Sequence, residues 1–492
     1  MLKAAAETFA IAPREGATTD SRTDNTTGRV ISPLKTTVVL LADETTSLCF
    51  VTAGCYVDFY PFTNLVRQRI GPILDLCPEQ IAVFSTHNHS CVMVSNTYPF
   101  ADKFPEENVT LRDDQLTDFG RDMVRGIEEA AGKLKDRLVP VEVSWAVGHE
   151  RRVSYNRKGR RADGSTYLMR EEDRVLLGAD FNGDIDDDAP VVAFKDASGK
   201  QVCFLVQFTS HPCTAYHPES PVTFGDFAQV ACDDLSAAHG GVPVAFLQGC
   251  AGEINSKFFL APIPVEERVA NATRLGHYLG ETYVNASRAL QRSKRADLGF
   301  AWERVFLPFT PVPPARKLLA DIAVMEDFLK RCAAGDENTL SCLGLNPART
   351  MSLKYRSKLV EPCIQWAQWA LKFHTENRLH EAPKGIEVVV GAFRIGDVGI
   401  VGLPAEPFLG IGRQIRTGSK LALTIPVGYM NDNIAYIQDS PNVGDTDYSS
   451  SYYRYTKDYL PWKKPGGNLM AKAGVKMLKQ ISKRRKTASA GS

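Results

Sequence analysis

The sequence predicts an α/β protein in which mixed β-sheets form the core and helices lie outside them. Two observations predict this class. Short apolar runs rich in β-branched residues alternate with longer segments whose apolar residues recur every three or four positions. Between residues 314 and 380 the strand-like runs stop and the pattern is helical. We therefore expect a helical insertion between two strand-rich parts of the chain.

The first elements alternate between strands and helices. β-Branched runs predict strands at residues 37–41 and 48–52, a short helix follows at 64–70, and Ile81-Ala-Val-Phe-Ser85 predicts another strand. The segment 13–29 is rich in Thr, Asp, Arg and Gly, which predicts an exposed loop. Such alternation is typical of α/β folds.

Helical periodicity is clearest in three later stretches. Apolar residues recur at helical spacing over 112–134, over 264–290 and over 468–481, and residues 139–145 predict a strand between the first two. His277 lies off the apolar stripe of its helix, so we expect it at the surface. These amphipathic helices fit the outside of a sheet core.

The composition limits the partners of this chain. Its 492 residues carry a formal net charge of +1, which argues against a nucleic acid partner. No run approaches the roughly 18 apolar residues of a membrane helix, so we expect no stable membrane insertion. The N-terminus lacks an apolar signal core, and the 11 cysteines are scattered without a CxxC pair. We expect a cytoplasmic protein that binds a small molecule.

Several polar residues stand where an apolar, strand-like run ends. His87, His211, Glu406 and Tyr436 each occupy such a position, and His89 follows two residues after His87. Alternation along an extended chain points the two neighbouring imidazoles the same way. Taken singly, each residue also fits a turn cap, a salt bridge or a core aromatic. Histidine and carboxylate ligands are typical of zinc sites.

Several short motifs occur in one order over about residues 5–482. They are Ser85-Thr-His87-Asn-His89-Ser90, Asn156-Arg157, Ser210-His211-Pro212, Gly225-Asp226-Phe227, Gln248-Gly-Cys-Ala-Gly-Glu253, Leu403-Pro-Ala-Glu406, and Gly428-Tyr through Ala435-Tyr436-Ile437. In this order the series resembles the neutral/alkaline, non-lysosomal ceramidase family. Independent motifs in one order are far more specific than a lone His-x-His pair.

The resemblance implies a single zinc ion held by His87, His211, Glu406 and Tyr436. It also implies that His89 carries protons at the scissile amide without binding the metal. Zinc with an open position lowers the pKa of a bound water toward about 7. The implied reaction is therefore attack of zinc-bound water on a linear amide.

Two further residues match family positions near the carbonyl oxygen of the substrate. Arg157 matches the arginine of an Asn-Arg motif, and Tyr448 lies twelve positions after Tyr436. The resemblance implies that both stabilise the negative charge that develops on this oxygen. Together these residues predict a zinc-dependent N-deacylase that acts on carbon-nitrogen bonds.

The sequence departs from the family pattern at residues that neighbour the predicted ligands and shape the pocket wall, and not at the ligands themselves. Cys91 and Val92 stand where the family usually has Gly and Pro. Ala405 replaces the glycine of Leu-Pro-Gly-Glu, and Ala228 replaces the proline of Gly-Asp-Phe-Pro. Cys91 fits either a small buried side chain or a reactive thiol near zinc. We expect the pocket wall to differ from that of the family.

The resemblance also bears on domains and substrate. Members of the family are secreted or membrane-associated and carry a C-terminal immunoglobulin-like domain. We expect residues 1–492 to form one domain, with the helical insertion at about 314–380 and no C-terminal immunoglobulin-like domain. A small or soluble N-acyl substrate fits such a chain better than ceramide.

Other functions remain open at this stage. A cyclase or acyl transferase in a biosynthetic pathway uses the same zinc-polarised carbonyl with a nucleophile other than water. A non-catalytic binding protein keeps the fold without the reaction. An amidohydrolase barrel needs a later series of metal ligands that the sequence lacks, and a metallo-β-lactamase needs an Asp-His pair after His89.

Overall fold

The computed structural model has alternating helices and strands, as the sequence predicts. It describes residues 1–20, 25–26, 29–96, 108–178, 180–456 and 458–483. The α-helices of these residues are α1 (Tyr60–Leu74), α2 (Asp118–Leu134), α3 (Glu171–Leu176), α4 (Asp226–Ala238), α5 (Val265–Ala286), α6 (Ala315–Ala333), α7 (Leu353–Thr375), α8 (Leu409–Gly418) and α9 (Asn468–Lys483).

The strands follow the predicted runs and add several short ladders. In chain order they are β1 (Lys3–Ile11), β2 (Thr18–Asp20), β3 (Asn25–Thr26), β4 (Leu34–Ala42), β5 (Ser47–Ala53), β6 (Ile81–Ser85), β7 (Val139–His149), β8 (Ser154–Asn156), β9 (Lys158–Arg160), β10 (Thr166–Leu168), β11 (Asp188–Asp196), β12 (Gln201–Phe208), β13 (Val244–Gln248), β14 (Ile254–Ser256), β15 (Gln291–Arg292), β16 (Leu298–Pro308), β17 (Gly385–Ile395), β18 (Val398–Gly402), β19 (Glu406–Pro407), β20 (Leu423–Val427) and β21 (Tyr436–Ile437).

Two mixed sheets contain most of these strands. The larger sheet has the order β13-β12-β11-β7-β1-β4-β5-β6, and β15 also pairs with β7. The smaller sheet has the order β16-β17-β18-β20. Most neighbours are antiparallel, whereas β5 with β6, β12 with β13, and β18 with β20 are parallel. The predicted α/β class with mixed sheets is confirmed.

The two sheets pack face to face around one hydrophobic core. Phe50 of the larger sheet contacts Phe393 of the smaller sheet edge to face, with ring centroids 5.2 Å apart. Along β1, Ala4 faces this core, whereas Ala5 joins the cluster that packs against α1 and α2. Alternate residues of one strand thus serve two cores, as the pleat requires.

Helices cover the outer faces of both sheets. Helix α2 begins at the N-cap Thr117, whose hydroxyl accepts a hydrogen bond from the Gly120 N–H at 3.0 Å. Helices α4 and α5 pack on the β11–β13 part of the larger sheet, and α9 packs on the smaller sheet. The predicted helical insertion is confirmed as α6 and α7, which lie between β16 and β17.

The larger sheet curls so that the two ends of its strand order approach each other. The Thr37 hydroxyl of β4 donates to the Val244 carbonyl of β13 at 3.0 Å. As a result, the loop after β6 reaches the loop after β12, and the His89 N–H donates to the Pro212 carbonyl at 2.9 Å. This closure brings together residues that lie on distant strands.

Some features were not anticipated from the sequence. Strand β1 lies in the middle of the larger sheet, but its Ala-rich sequence has weak strand propensity and was not predicted. The predicted loop at 13–29 contains β2 and β3, and its residues 21–24 and 27–28 lie outside the described part of the chain. His277 is exposed, as expected. No helix among the described residues combines the length and apolar character needed to cross a membrane.

Candidate metal centre

His87 lies in a tight turn directly after β6. Its φ of 57° is in the left-handed region, which is uncommon for a residue other than glycine. The His87 N–H donates to the Ser85 hydroxyl at 3.0 Å, which holds the turn. The imidazole is only 3% exposed. A backbone held in this way at a buried position is typical of functional sites.

Asp58 lies behind His87 and was not singled out from the sequence. Its Oδ2 is 3.3 Å from His87 Nδ1 and accepts a hydrogen bond from Asn433 Nδ2 at 2.9 Å. Because a carboxylate only accepts, this contact favours a proton on Nδ1 and leaves Nε2 as the nitrogen that a metal ion would bind. A signal existed in the sequence, since Asp58 follows β5 and His87 follows β6, the parallel neighbour of β5.

His211 follows β12 and is completely buried. Like the ring of His87, its ring is held through the Nδ1 atom. Its Nδ1 lies 2.8 Å from the Ile254 carbonyl, which also only accepts. Burial lowers the pKa of His211 to about 4, so the imidazole is neutral at pH 7. A neutral imidazole has one proton, but both of its nitrogens face acceptors here, the Ile254 carbonyl and the Glu406 carboxylate. A metal ion on the Nε2 side would satisfy both, with the proton on Nδ1.

Glu406 is the point on which one nitrogen of each histidine converges. Its Oε2 is 3.0 Å from His211 Nε2 and 3.5 Å from His87 Nε2. Burial alone raises the pKa of the Glu406 carboxyl, but the charge and hydrogen bonding of the two histidines and the charge of Arg157 lower it to about 2. Two imidazole nitrogens that converge on an ionised carboxylate need a positive charge between them, which is carried either by protons or by a metal ion. This donor set therefore fits a metal ion, and its ligand types fit zinc.

Tyr436 is brought beside Glu406 by the short parallel ladder of β19 and β21. Its ring lies 4.8 Å from the ring of Tyr452 and 5.9 Å from that of Tyr448. The guanidinium of Arg157 lies 5.2 Å from the centre of the Tyr436 ring. Burial raises the pKa of Tyr436 well above its usual value.

Arg157 is buried and is held by the loop that also holds His211. Its guanidinium donates to the Gly252 carbonyl at 2.7 Å and to Asn255 Oδ1 at 3.0 Å. A Cβ at residue 252 would lie 2.7 Å from the Glu406 carbonyl oxygen, so this position requires glycine. The loop thus fixes the Arg157 guanidinium and the His211 imidazole relative to each other.

His89 lies on the more exposed side of the site. It is partly exposed, whereas His87 and His211 are buried. Its ring contacts those of Tyr56 and Tyr216 at centroid distances of 5.4 Å and 5.2 Å. One donor nitrogen of each histidine lies within 4.8 Å of the others. His89 is therefore close enough to exchange protons at this centre, and part of its side chain is exposed while its Nε2 is buried.

Two other residues in the motifs, Cys91 and Asp226, are buried and have structural roles. Burial raises the pKa of the Cys91 thiol to about 12, so it remains a protonated, buried group at neutral pH. This favours the small buried side chain over the reactive thiol. Asp226 is buried, and its carboxylate accepts hydrogen bonds from the backbone of Ala215 at 2.9 Å and of Phe227 at 2.8 Å. It ties the chain after His211 to the start of α4.

The structure therefore brings every predicted site residue into one region. His87, His211 and Glu406 converge on one point, His89 lies beside them, and Arg157 joins the group through Glu406 and Tyr436. Sequence reasoning missed three buried residues that touch this region, which are Asp58, Asn433 and Tyr429.

Known proteins resemble this chain in structure rather than in sequence. No protein-family model matches the sequence, and no curated protein matches it either. The crystal structure of neutral ceramidase from Pseudomonas aeruginosa aligns with a TM-score of 0.64 at 16% identity, over 98% of this chain and 74% of that one. A structure of ceramidase complexed with C2 aligns with a TM-score of 0.66 at 16% identity, over 98% and 75%. The chain thus has the neutral ceramidase fold, which confirms the resemblance at the level of fold.

Proposed function

We propose that this protein is a zinc-dependent amide hydrolase that removes the acyl group from a small or soluble N-acyl substrate. The observation that carries the proposal is the convergence of one nitrogen of His87 and one of His211 on the buried, ionised Glu406 carboxylate. The ceramidase fold adds support, although a fold alone does not fix a reaction. His87, His211, Glu406 and Tyr436 hold the zinc.

Zinc bound here supplies a Lewis acid that acidifies water and polarises a carbonyl. The protein residues do the rest. Asp58 and the Ile254 carbonyl keep the metal-facing nitrogens of His87 and His211 unprotonated. His89 accepts a proton from the attacking water and donates it to the leaving nitrogen.

Arg157 and Tyr448 act on the carbonyl oxygen of the scissile amide, whereas His89 acts on its nitrogen. The Arg157 guanidinium is buried, lies 6.0 Å from the Tyr448 ring and keeps its charge at every accessible pH. Donors fixed in advance stabilise the negative charge on the carbonyl oxygen without reorganising during the reaction. The loop carrying Gly252 and Asn255 provides this fixation.

The proposal is tested with zinc-loaded protein and a panel of N-acyl compounds from acetylated amines to ceramide. We expect a new primary amine from a small or soluble member of the panel, and a product mass that has gained one water. Product without added water contradicts hydrolysis and indicates cyclisation or acyl transfer. Ceramide as the best substrate contradicts the substrate class. Protein stripped with a chelator serves as the control and should be inactive until zinc is restored.

A further inference from the structure

Lys158 follows Arg157 directly and contacts three polar side chains of the loop 439–447. Its ammonium nitrogen lies 2.6 Å from Asn442 Oδ1, 2.5 Å from Asp445 Oδ2 and 3.6 Å from Asp447 Oδ2. The side chain of Lys158 is only 9% exposed. A lysine is rarely buried to this extent unless it is paired, and here it has two carboxylate partners. Lys158 is therefore a fixed cation inside an acidic loop.

Asp447 shapes the turn that contains Tyr448. Its Oδ1 accepts a hydrogen bond from the Ser450 N–H at 3.1 Å, and its carbonyl accepts from the Ser451 N–H at 2.9 Å. These two bonds close a turn over residues 447–451. The other carboxylate oxygen, Oδ2, is buried without a hydrogen-bond partner in the described part of the chain, and Lys158 supplies the positive charge beside it. Lys158 therefore holds the carboxylate that closes the turn.

The hairpin that carries Lys158 also holds the backbone of this loop. Strands β9 and β10 form a two-stranded ladder, and Lys158 is its first residue. The buried Thr166 hydroxyl of β10 accepts hydrogen bonds from the N–H groups of Thr446 and Asp447 at 2.9 Å and 3.1 Å. The hairpin thus contacts the segment directly before Tyr448 through backbone and side-chain groups.

The ion pair of Lys158 and Asp447 lies beside both groups that are proposed to act on the carbonyl oxygen. Peptide bonds join Arg157 to Lys158 and Asp447 to Tyr448. The Arg157 guanidinium lies 6.0 Å from the centre of the Tyr448 ring. Two donors stabilise one developing charge only when both lie about 2.7–3.1 Å from the same oxygen, so their separation must be fixed. An ion pair one residue away from each group is suited to fix it.

We propose that Lys158 is a positioning residue, which sets the place of Tyr448 relative to Arg157 through its buried ion pair with Asp447. This inference rests on the proposed function, in which Arg157 and Tyr448 stabilise the carbonyl oxygen. Lys158 itself touches no reacting atom. Without Lys158 the buried Asp447 carboxylate loses its compensating charge, so the turn that it closes shifts and carries Tyr448 with it. A displacement of about 1 Å is enough to lower a rate by on the order of 10²-fold.

A double-mutant cycle with zinc-loaded protein tests the inference, with the N-acyl compound that the wild type hydrolyses best as substrate. Lys158→Met should lower kcat by about tenfold or more and leave zinc content and KM near wild type, because it displaces a group that acts in the transition state. In the Tyr448→Phe background the same change should cost less than about twofold, since the group that it displaces is already gone. Lys158→Arg, which keeps the charge, should recover part of the rate.

A role of Lys158 in stability alone predicts the same loss of rate in both backgrounds, and that result contradicts the inference. If Lys158→Met does not fold by circular dichroism, Asp447→Ala takes its place in the cycle with the same expectation. The control is Arg160→Ala. Arg160 is half-exposed and lies 2.8 Å from Asp445 on the outer side of the hairpin, so its loss should leave the rate near wild type.

Hydrogen exchange of the turn gives a second measurement that needs no turnover. In peptides that cover residues 446–452, followed by mass spectrometry, the Ser450 amide should exchange about tenfold faster in Lys158→Met than in wild type, and Arg160→Ala should match wild type. Unchanged exchange in Lys158→Met contradicts the inference while the proposed function stands. A wild-type protein that hydrolyses no N-acyl compound contradicts the proposed function, and the exchange rates then still decide whether Lys158 holds the turn.

Discussion

Asp58 holds His87 from behind, with the carboxylate Oδ2 3.3 Å from Nδ1 of the imidazole. Both groups are buried, and Asn433 donates a hydrogen bond to the same carboxylate oxygen. A carboxylate in this position fixes the tautomer and the orientation of a metal-binding histidine. The pair therefore decides whether the Nε2 of His87 faces the metal with a lone pair or with a proton.

Replacing Asp58 by alanine should weaken zinc binding by about 10- to 100-fold, because His87 loses the group that fixes its tautomer. Chelator competition at pH 7 measures this change. A matched control exists at the surface, where Asp234 pairs with His277 at 2.8 Å. Asp234→Ala removes an equivalent carboxylate and should leave zinc affinity unchanged. Equal affinity in Asp58→Ala and wild type contradicts the role of Asp58.

The two histidines of the His-x-His motif should separate metal binding from proton transfer. His87→Ala should lose stoichiometric zinc, because it removes a donor that faces Glu406. His89→Ala should keep near-normal zinc and lose turnover by roughly 10²- to 10⁴-fold, as expected for a general acid/base. Metal analysis and steady-state kinetics measure the two effects. Zinc lost in His89→Ala but retained in His87→Ala would mean that the two roles are reversed.

Tyr448→Phe should keep zinc and lower kcat by roughly 10²-fold, since the hydroxyl acts on the developing oxyanion. Arg157→Ala should act in the same direction, but Arg157 also holds the loop of Gly252. Tyr448 is therefore the cleaner test. Tyr455→Phe is its control, because the Tyr455 ring packs 5.6 Å from the Tyr448 ring while its hydroxyl donates to the Leu359 carbonyl. Equal rates in both variants would contradict the prediction.

Acid should destabilise the metal-free protein through His211. Its pKa is about 4 in the folded protein and about 6.5 in an unfolded chain, so the unfolded state binds more protons between these values. Stability contributed by this group is present above pH 6.5 and is lost as pH falls toward 4, by on the order of 3 kcal/mol. Urea unfolding of metal-free protein across this window measures it. His211→Asn should flatten the dependence, whereas the exposed His277→Asn should not.

We propose that the chain is a single domain, because strands from before residue 250 and after residue 298 share the core between the two sheets. Limited proteolysis should therefore release no independently folded fragment that contains Glu406 and Tyr436. Circular dichroism and reversible unfolding of each fragment check this. A stable fragment of that kind would show that the two sheets belong to separate domains.

The sequence predicted the site residues that end apolar strands, but it did not predict the residues that contact them from distant parts of the chain. His87 and His211 were found because each follows an apolar strand, a pattern that is local in sequence. Asp58 and Tyr429 were missed because their importance arises from contacts with distant residues. Tyr429 meets His211 across 218 residues of chain, and no periodicity or spacing encodes that contact.

The fold was predicted as a class rather than as a topology. Apolar runs identified most strands, but they carry no information on the curl that brings β13 over β4. Strand β1 was missed because alanines have weak strand propensity, and it is stabilised by its neighbours on both sides, β4 and β7. Tertiary pairing overrides local preference at that position.

On the proposed zinc site, the packing of the two sheets also governs when the metal binds during folding. His211 and Glu406 are 195 residues apart in the chain, and each faces the other only after both sheets have formed. Closing loops of this length costs entropy before any contact repays it, so such pairs form late. Unlike a zinc finger, which is ordered by its ion, this chain must reach its native topology before it has a site to fill. Zinc should therefore slow unfolding of the finished protein rather than speed its folding.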